Sequence, residues 1–400
     1  MPDGITILCG DAVEQLRTLP DRSVHMCVTS PPFFGLRDYG VDRQIGLEAT
    51  PAEWVAKLVD VFREVRRVLR DDGTCWIEIG DSYAATMTSD RRMYQPSGER
   101  GTPSTSRDPV ATGQRTAVNG LKPKDLLGQP WMLAFALRDD GWWLRSEIIW
   151  ARPNPMPESV TDRPTKAHST VFLLAKQAHY SYDADGIREP AEYGFSPSTG
   201  ADWREGTGSA AENPGRGSRT VSRGDGTGGR NARSVWTIPT QPLKDEHYAA
   251  FPEELARRCI LAGTSEKGCC PGCGAPWERV TERTPLSTPT YSDARGYTVG
   301  GGARDTITRL GDGVSVTTTG WRPTCDHGLN PVPATVLDCF LGSGTTALVA
   351  RKLGRYCVGI ELKPEYVELA WRRLRDPRAM VRAQEQAGGH VQTMIGGDDE

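Results

Sequence analysis

Six residues, Thr29-Ser30-Pro31-Pro32-Phe33-Phe34, follow a short apolar run at 24–28 and have the chemistry to hold an amine. The two prolines stop the strand and fix a rigid turn at the end where a parallel sheet presents its ligands. An amino group conjugated to an aromatic ring is a poor nucleophile, because its lone pair is delocalised into the ring. Acceptors aimed at both of its hydrogens draw the nitrogen toward tetrahedral geometry as it attacks, and the Ser30 hydroxyl and the Pro31 carbonyl can supply them. Phe33 or Phe34 can stack on the ring. This scheme requires no general base of shifted pKa. Ser-Pro-Pro alone is also an ordinary turn, so the reading depends on what else the chain carries.

The second element comes about 300 residues later. An apolar run at 335–340 breaks into Leu341-Gly342-Ser343-Gly344-Thr345-Thr346 and then into a helical pattern. This is a strand, a tight glycine turn and a helix start, where free amides suit an anionic group and glycines permit close backbone approach. The turn lacks the third glycine of a dinucleotide fingerprint and the lysine of a phosphate-binding loop. The next strand, 356–360, ends on Glu361, whose carboxylate can accept both ribose hydroxyls of an adenosine ligand.

The third element is a set of cysteines. Cys270-Pro271-Gly272-Cys273 is a C-x-x-C knuckle, and Cys325-Asp326-His327 follows about 50 residues on; four such ligands suit structural zinc. Cys269 could take the place of Cys270. Cys9, Cys27, Cys75, Cys259, Cys339 and Cys357 stand singly and read as small buried thiols.

The elements that must position these groups alternate between strand and helix. Runs at 5–8, 24–28 and 74–79 read as strands, and Trp54, Leu58, Phe62, Val65 and Leu69 make one face of a helix over 53–70 that Asp72-Gly73 would stop. A helix at 131–137, strands at 142–150 and 169–175, and a helix at 252–262 follow. Stretches 84–120 and 192–233 have scarcely an apolar residue, which accounts for much of the 44 Gly and 29 Pro and predicts loose loops. The net charge of −3 confines any nucleic-acid surface to a local patch. No basic leader and no apolar stretch of roughly 18 residues is present, so a cytoplasmic protein with no membrane partner is expected.

Together these residues resemble the amino-group DNA methyltransferases of the beta arrangement, in which the catalytic motif precedes the cofactor motif. The resemblance covers most of the chain and implies a doubly wound, mostly parallel, Rossmann-like α/β sheet, circularly permuted, with a small zinc-ribbon-like insert. It implies S-adenosylmethionine as cofactor and double-stranded DNA as partner, with the target base flipped out of the duplex. Ser30, Pro31, Pro32 and Phe33 resemble the catalytic motif. Asp338, Phe340, Gly342, Gly344, Thr345 and Glu361 resemble the cofactor motif, joined by Asp11 near the adenine and Phe251 over the methionine end. Arg152, Asn154 and Arg163 lie in a segment that in the family runs beside the flipped base.

Serine before Pro-Pro favours cytosine N4, with adenine N6 as the alternative; RNA as substrate, and a zinc-containing DNA-binding protein without turnover, stand further off. Cys339, where proline is commoner in the family, should affect packing rather than ligand choice. The expected organisation is a catalytic part at 1–190, a recognition segment at 191–240, a cofactor-covering segment at 241–266, the zinc insert at 267–330, the cofactor part at 331–378 and a tail at 379–400. Membership of this family would also allow a homodimer and a cognate restriction endonuclease.

Overall fold

The computed structural model describes residues 4–84, 122, 124–189, 230–241, 251–285 and 314–376. Apart from Ala84 and residues 230–233, the two loose stretches and the tail expected from sequence lie outside the described residues. The chain divides into two compact units: residues 1–183, 233–278 and 323–400 form the first, and 184–232 with 279–322 the second.

The first unit is an α/β sheet with helices on both faces. In chain order its elements are β1 (Ile5–Cys9), α1 (Ala12–Arg17), β2 (Val24–Thr29), α2 (Pro51–Val68), β3 (Leu69–Ile79), α3 (Gln129–Asp139), β4 (Trp143–Ala151), β5 (His168–Ala175), β6 (Val235–Thr237) and α4 (Glu253–Gly263). Strands β7 (Trp277–Pro285) and β8 (Val314–Pro323), most of whose residues belong to the second unit, form a separate two-stranded sheet. Back in the first unit come β9 (Thr335–Asp338), α5 (Thr345–Lys352), β10 (Tyr356–Glu361) and α6 (Pro364–Arg375). In the second unit, a single turn at Asp185–Ile187 leads to a bridge between Glu189 and Arg230.

The eight-stranded sheet runs β1-β10-β9-β2-β3-β5-β4-β6. Only β5 is antiparallel to its neighbours β3 and β4, so the expected doubly wound, mostly parallel sheet is what forms. The two ends of the chain interleave: β1 pairs with β10 and β2 with β9. The carboxyl ends of β2, β9 and β10 therefore lie side by side, although some 300 residues separate the first from the other two.

One face carries α2, whose Trp54, Leu58, Phe62 and Val65 are wholly buried with Leu16 of α1 and Leu133 of α3. Thr50 caps α2 by accepting from the amide of Glu53 at 3.1 Å, and Pro51 occupies the first turn, where no amide is needed. The other face carries α4 across β2 and β3, with α5 beside it. There a Cβ on Gly263 would lie 2.9 Å from Thr74 Oγ1, so the end of α4 can approach β3 only as glycine.

Two sequence expectations need correction. The helix spans 51–68 rather than 53–70, and Asp72-Gly73 is not a turn but part of β3, which begins at Leu69. The cause is the pairing: Leu69 is fully buried opposite Val24, while Met26 pairs with Thr74, so β3 bulges between them. Gly73 sits in the bulge, where a Cβ would come within 2.8 Å of the His25 carbonyl. The second correction concerns Cys9, which is exposed at the end of β1, whereas the other five single cysteines are buried as expected.

Candidate active site

The turn after β2 is held rigid from outside. Trp54 Nε1 donates to the Pro32 carbonyl at 2.9 Å. Gln129, fully buried at the start of α3, accepts from the Phe34 amide at 3.2 Å and donates to its carbonyl at 3.3 Å. Among the described residues no hydrogen bond takes the Pro31 carbonyl, which is thereby left as an acceptor. Phe34 is buried beside Trp54, so of the two phenylalanines it is Phe33 that faces the cavity described below.

Ser30 Oγ donates to Glu78 Oε2 at 2.7 Å. Glu78 is a buried acid at the end of β3, and burial raises its pKa against the opposing hydrogen bonds from Ser30 and Ser169 and the charge of Arg152. Sequence reasoning missed this residue. Its signal was present: an acid in the otherwise apolar run 74–79, at the carboxyl end of the strand beside Ser30.

The glycine turn sits at the end of β9. Gly342 donates its amide to Glu361 Oε2 at 2.8 Å, and Lys363 donates to Oε1 at 2.9 Å. Burial raises the Glu361 pKa, with those amides opposing it. From α6, Arg373 bonds the Ser343 carbonyl and hydroxyl, both at 2.7 Å, and Thr345 Oγ1 at 3.2 Å, pinning the turn. Asp11 caps α1 through Oδ1, accepting from Val13 and Glu14 at 2.9 and 3.1 Å. Cys9 pairs with Glu361 across β1 and β10, which brings Asp11 near that carboxylate's end of the sheet.

One cavity of about 300 Å³ joins these groups. Ser30, Pro31, Pro32, Phe33 and Glu78 line one end; Asp11, Gly342, Thr345 and Glu361 line the other, with Phe340 and Phe251 also on its wall. Among the lining residues not anticipated are Ser169, which bonds Glu78, its strand neighbour Trp150, and Tyr39 and Tyr366, whose rings meet edge-on at 6.4 Å. No periodicity in the sequence marks Tyr39, which lies in the irregular segment after Phe34.

Two expected cofactor residues are not on this wall. Asp338 is buried behind it, accepting from Thr29 Oγ1 and Thr346 Oγ1, both at 2.6 Å, and from the Phe340 amide at 3.1 Å. Its carboxylate ties β9 to β2, and burial pushes its pKa up to about 6. Gly344 instead lets α5 meet α6: at φ 82 it caps α5, and a Cβ there would lie 2.7 Å from Ala370 Cβ. Cys339 is buried 3.8 Å from Thr29 Oγ1, in keeping with a packing role, although it also touches the cavity.

Of the three residues expected near DNA, only Arg152 reaches the cavity, and its buried Nε has no partner. Asn154 exchanges bonds with Thr240 at 3.0 and 3.1 Å. Arg163 pairs with Glu158 at 2.5 Å and lies over the Tyr83 ring at 3.9 Å.

Away from the cavity, ligand atoms of Cys270, Cys273, Cys325 and His327 all lie within 4.8 Å of one another. Burial would raise the Cys270 thiol, but the amides of Cys273 and Gly272 and the neighbouring thiols hold it below its usual value. Two amides directed at one sulfur suit a thiolate, and two thiols from a C-x-x-C turn with a third thiol and an imidazole form a tetrahedral donor set. Cys269 is not part of it; its Sγ lies 3.4 Å from the Val332 carbonyl.

The DNA methylase family matches residues 24–270 and 330–372 of this chain. The Type II methyltransferase M.Cfr9I of Citrobacter freundii is 37% identical over 374 residues, 93% of this chain and 88% of that protein. M.XycI of Xanthomonas campestris pv. cyanopsidis is 39% identical over 378 residues, 94% and 90% of the two chains. Among solved structures, the cytosine-N4-specific PvuII DNA methyltransferase matches with a TM-score of 0.50 at 16% identity, covering 96% of this chain and 92% of that one. That last likeness concerns the fold alone.

Proposed function

The chain belongs to the DNA methylase family, whose members transfer a methyl group from S-adenosylmethionine to DNA, and we propose that its target is N4 of a cytosine turned out of the double helix. The observation that carries this reading is the Ser30–Glu78 hydrogen bond at the far end of the cavity that Gly342 and Glu361 open. The Glu361 carboxylate, fixed by two amides, keeps lone pairs for the ribose hydroxyls. Phe251 covers the methionine end, and Asp11 stands toward the adenine. The cytosine amine donates to Ser30 Oγ and to the Pro31 carbonyl, while Phe33 stacks on the ring.

Because Ser30 gives its own hydrogen to Glu78, its lone pairs are available to the amine, and the carboxylate makes the oxygen a stronger acceptor. In the transfer the amine nitrogen bonds to the methyl carbon as the carbon–sulfur bond breaks. The sulfonium leaves as a thioether, and the amine loses one proton along Ser30 toward Glu78, which revises the expectation that no general base of shifted pKa takes part. Arg152, with an unpartnered Nε, offers a donor to the base or its phosphate, and Asn154 and Arg163 border the approach. Serine before Pro-Pro supports cytosine over adenine.

Zinc at Cys270, Cys273, Cys325 and His327 is part of the same proposal, as a structural ion. So is a cytoplasmic role beside a cognate restriction endonuclease, in keeping with the Type II names of the relatives; no described helix is long and apolar enough to cross a membrane. The test is to incubate the protein with labelled S-adenosylmethionine and unmethylated DNA, digest the product and identify the nucleoside by mass spectrometry. N4-methylcytosine that disappears with Ser30→Ala is the expected result. N6-methyladenine would overturn the choice of base, and label in RNA alone would overturn the substrate.

A further inference from the structure

The cysteine knuckle lies at the end of the sheet opposite the cavity, where its bonds run to strands from both halves of the chain. His25 near the start of β2 places Nε2 3.2 Å from the Gly274 carbonyl, and its Nδ1 accepts from the amide of Thr335, the first residue of β9, at 3.0 Å. One imidazole thus bridges the knuckle and the head of β9. Its tautomer follows from these bonds: the Thr335 amide can only donate to Nδ1, so the hydrogen sits on Nε2 and goes to Gly274.

Arg70, near the start of β3, bonds the Cys273 carbonyl while its other nitrogens hold Asp72 at 2.9 and 3.2 Å. Cys269 exchanges main-chain bonds of 2.8 and 2.9 Å with Val332, three residues before β9. Close approach requires glycine at Gly268, and a backbone φ of 71 favours it at Gly274. A Cβ on Gly274 would sit 2.3 Å from Arg70 Nη1, and one on Gly268 2.3 Å from the Val332 carbonyl.

What this knuckle touches is the join of the sheet with the fewest registered pairs. Strands β2 and β9 pair only through Met26 with Val336 and Cys27 with Leu337, yet this join sets Ser30 beside the glycine turn. At its cavity end the join is closed by the Thr29–Asp338 bond; at its other end by His25.

We propose that the metal held by Cys270, Cys273, Cys325 and His327 fastens β9 to β2 from behind, so that its occupancy sets how well the turn at 341–344 is formed for S-adenosylmethionine. This rests on the zinc reading above and adds a role to it: the ion is a positioning device for the cofactor, remote from the reacting atoms and from DNA. A coupling of this kind between two separate sites is typically worth roughly 5–150-fold in affinity.

The experiment uses the full chain. Metal content is measured by elemental analysis, and S-adenosylmethionine affinity by calorimetry before and after stripping with a chelator, with far-ultraviolet circular dichroism as the check on folding. About one zinc per chain, and roughly tenfold weaker cofactor binding after stripping that zinc restores, is expected. His25→Phe then cuts the strap while leaving the four ligands. It should retain zinc, keep its circular dichroism and bind the cofactor several-fold more weakly. A chain that neither carries nor takes up zinc would overturn the zinc reading and this proposal with it. Zinc bound at one per chain, with cofactor affinity the same in the stripped and His25→Phe proteins, would overturn the fastening role alone.

Discussion

A buried and a half-buried carboxylate, Glu78 and Glu361, face the same cavity from its two ends, and they are held differently. Glu361 is gripped by main-chain amides, one on each oxygen, whereas Glu78 is bonded by the hydroxyls of Ser30 and Ser169. An amide fixes a carboxylate in place and cannot pass it a proton under these conditions. A hydroxyl can both hold it and relay one. Burial raises both pKa values, so environment alone does not separate the two roles; the chemistry of the partner does.

If this contrast is right, substitutions at the two ends should divide between rate and binding. Ser30→Ala removes an acceptor needed most as the amine becomes tetrahedral, so kcat should fall roughly a thousandfold with the KM for S-adenosylmethionine unchanged. Glu361→Ala should do the reverse. Losing two charge-assisted bonds to ribose weakens cofactor binding by about a hundredfold, while kcat at saturating cofactor stays within a few-fold. A Ser30 variant that lost cofactor affinity, or a Glu361 variant with a collapsed kcat, would erase the distinction between the two ends.

Glu78→Gln is a finer probe, because the amide oxygen can still accept from Ser30 but cannot take its proton. A drop in kcat of roughly tenfold is expected, together with a changed pH profile. In the wild type the rate should fall on the acid side as Glu78 becomes protonated, at a pH above its ordinary value because burial raises its pKa. The variant should lack that limb. An unchanged acid limb in Glu78→Gln would assign it to another group and leave Glu78 as a holder only.

The ends of the cavity were legible because each is a short contiguous motif at a strand end. Ser30 through Phe33, and Gly342 with Glu361, announce themselves by proline and glycine, which few other backbone conformations require. The cysteine cluster was legible for a similar reason, since C-x-x-C is local. Glu78 was not, because its meaning comes from β3 lying beside β2, a long-range pairing that spacing does not encode. Asp338 shows the converse failure. A carboxylate at a strand end before a glycine turn reads as a ligand, yet the hydroxyls of Thr29 and Thr346 face it from inside the fold. The helix that ended two residues early belongs with these cases: Leu69 continues the apolar face of α2, and only its pairing with Val24 makes it strand.

Asp338 is therefore a third carboxylate, fully buried and set behind the cavity wall rather than on it, and its titration should appear in stability rather than in chemistry. Its folded pKa of about 6 lies above the ordinary 3.8, so the folded state prefers it protonated. The stability this preference contributes is full below about pH 4 and is lost as pH rises through about 6. Asp338→Asn cannot ionise and keeps the shape, so subtracting its unfolding free energy from that of the wild type isolates the effect from all other titrating groups. That difference should fall by about 2 kcal/mol between pH 4 and pH 7, read from denaturant unfolding at each pH. A flat difference would mean that the two threonine hydroxyls and the Phe340 amide compensate the carboxylate's burial fully.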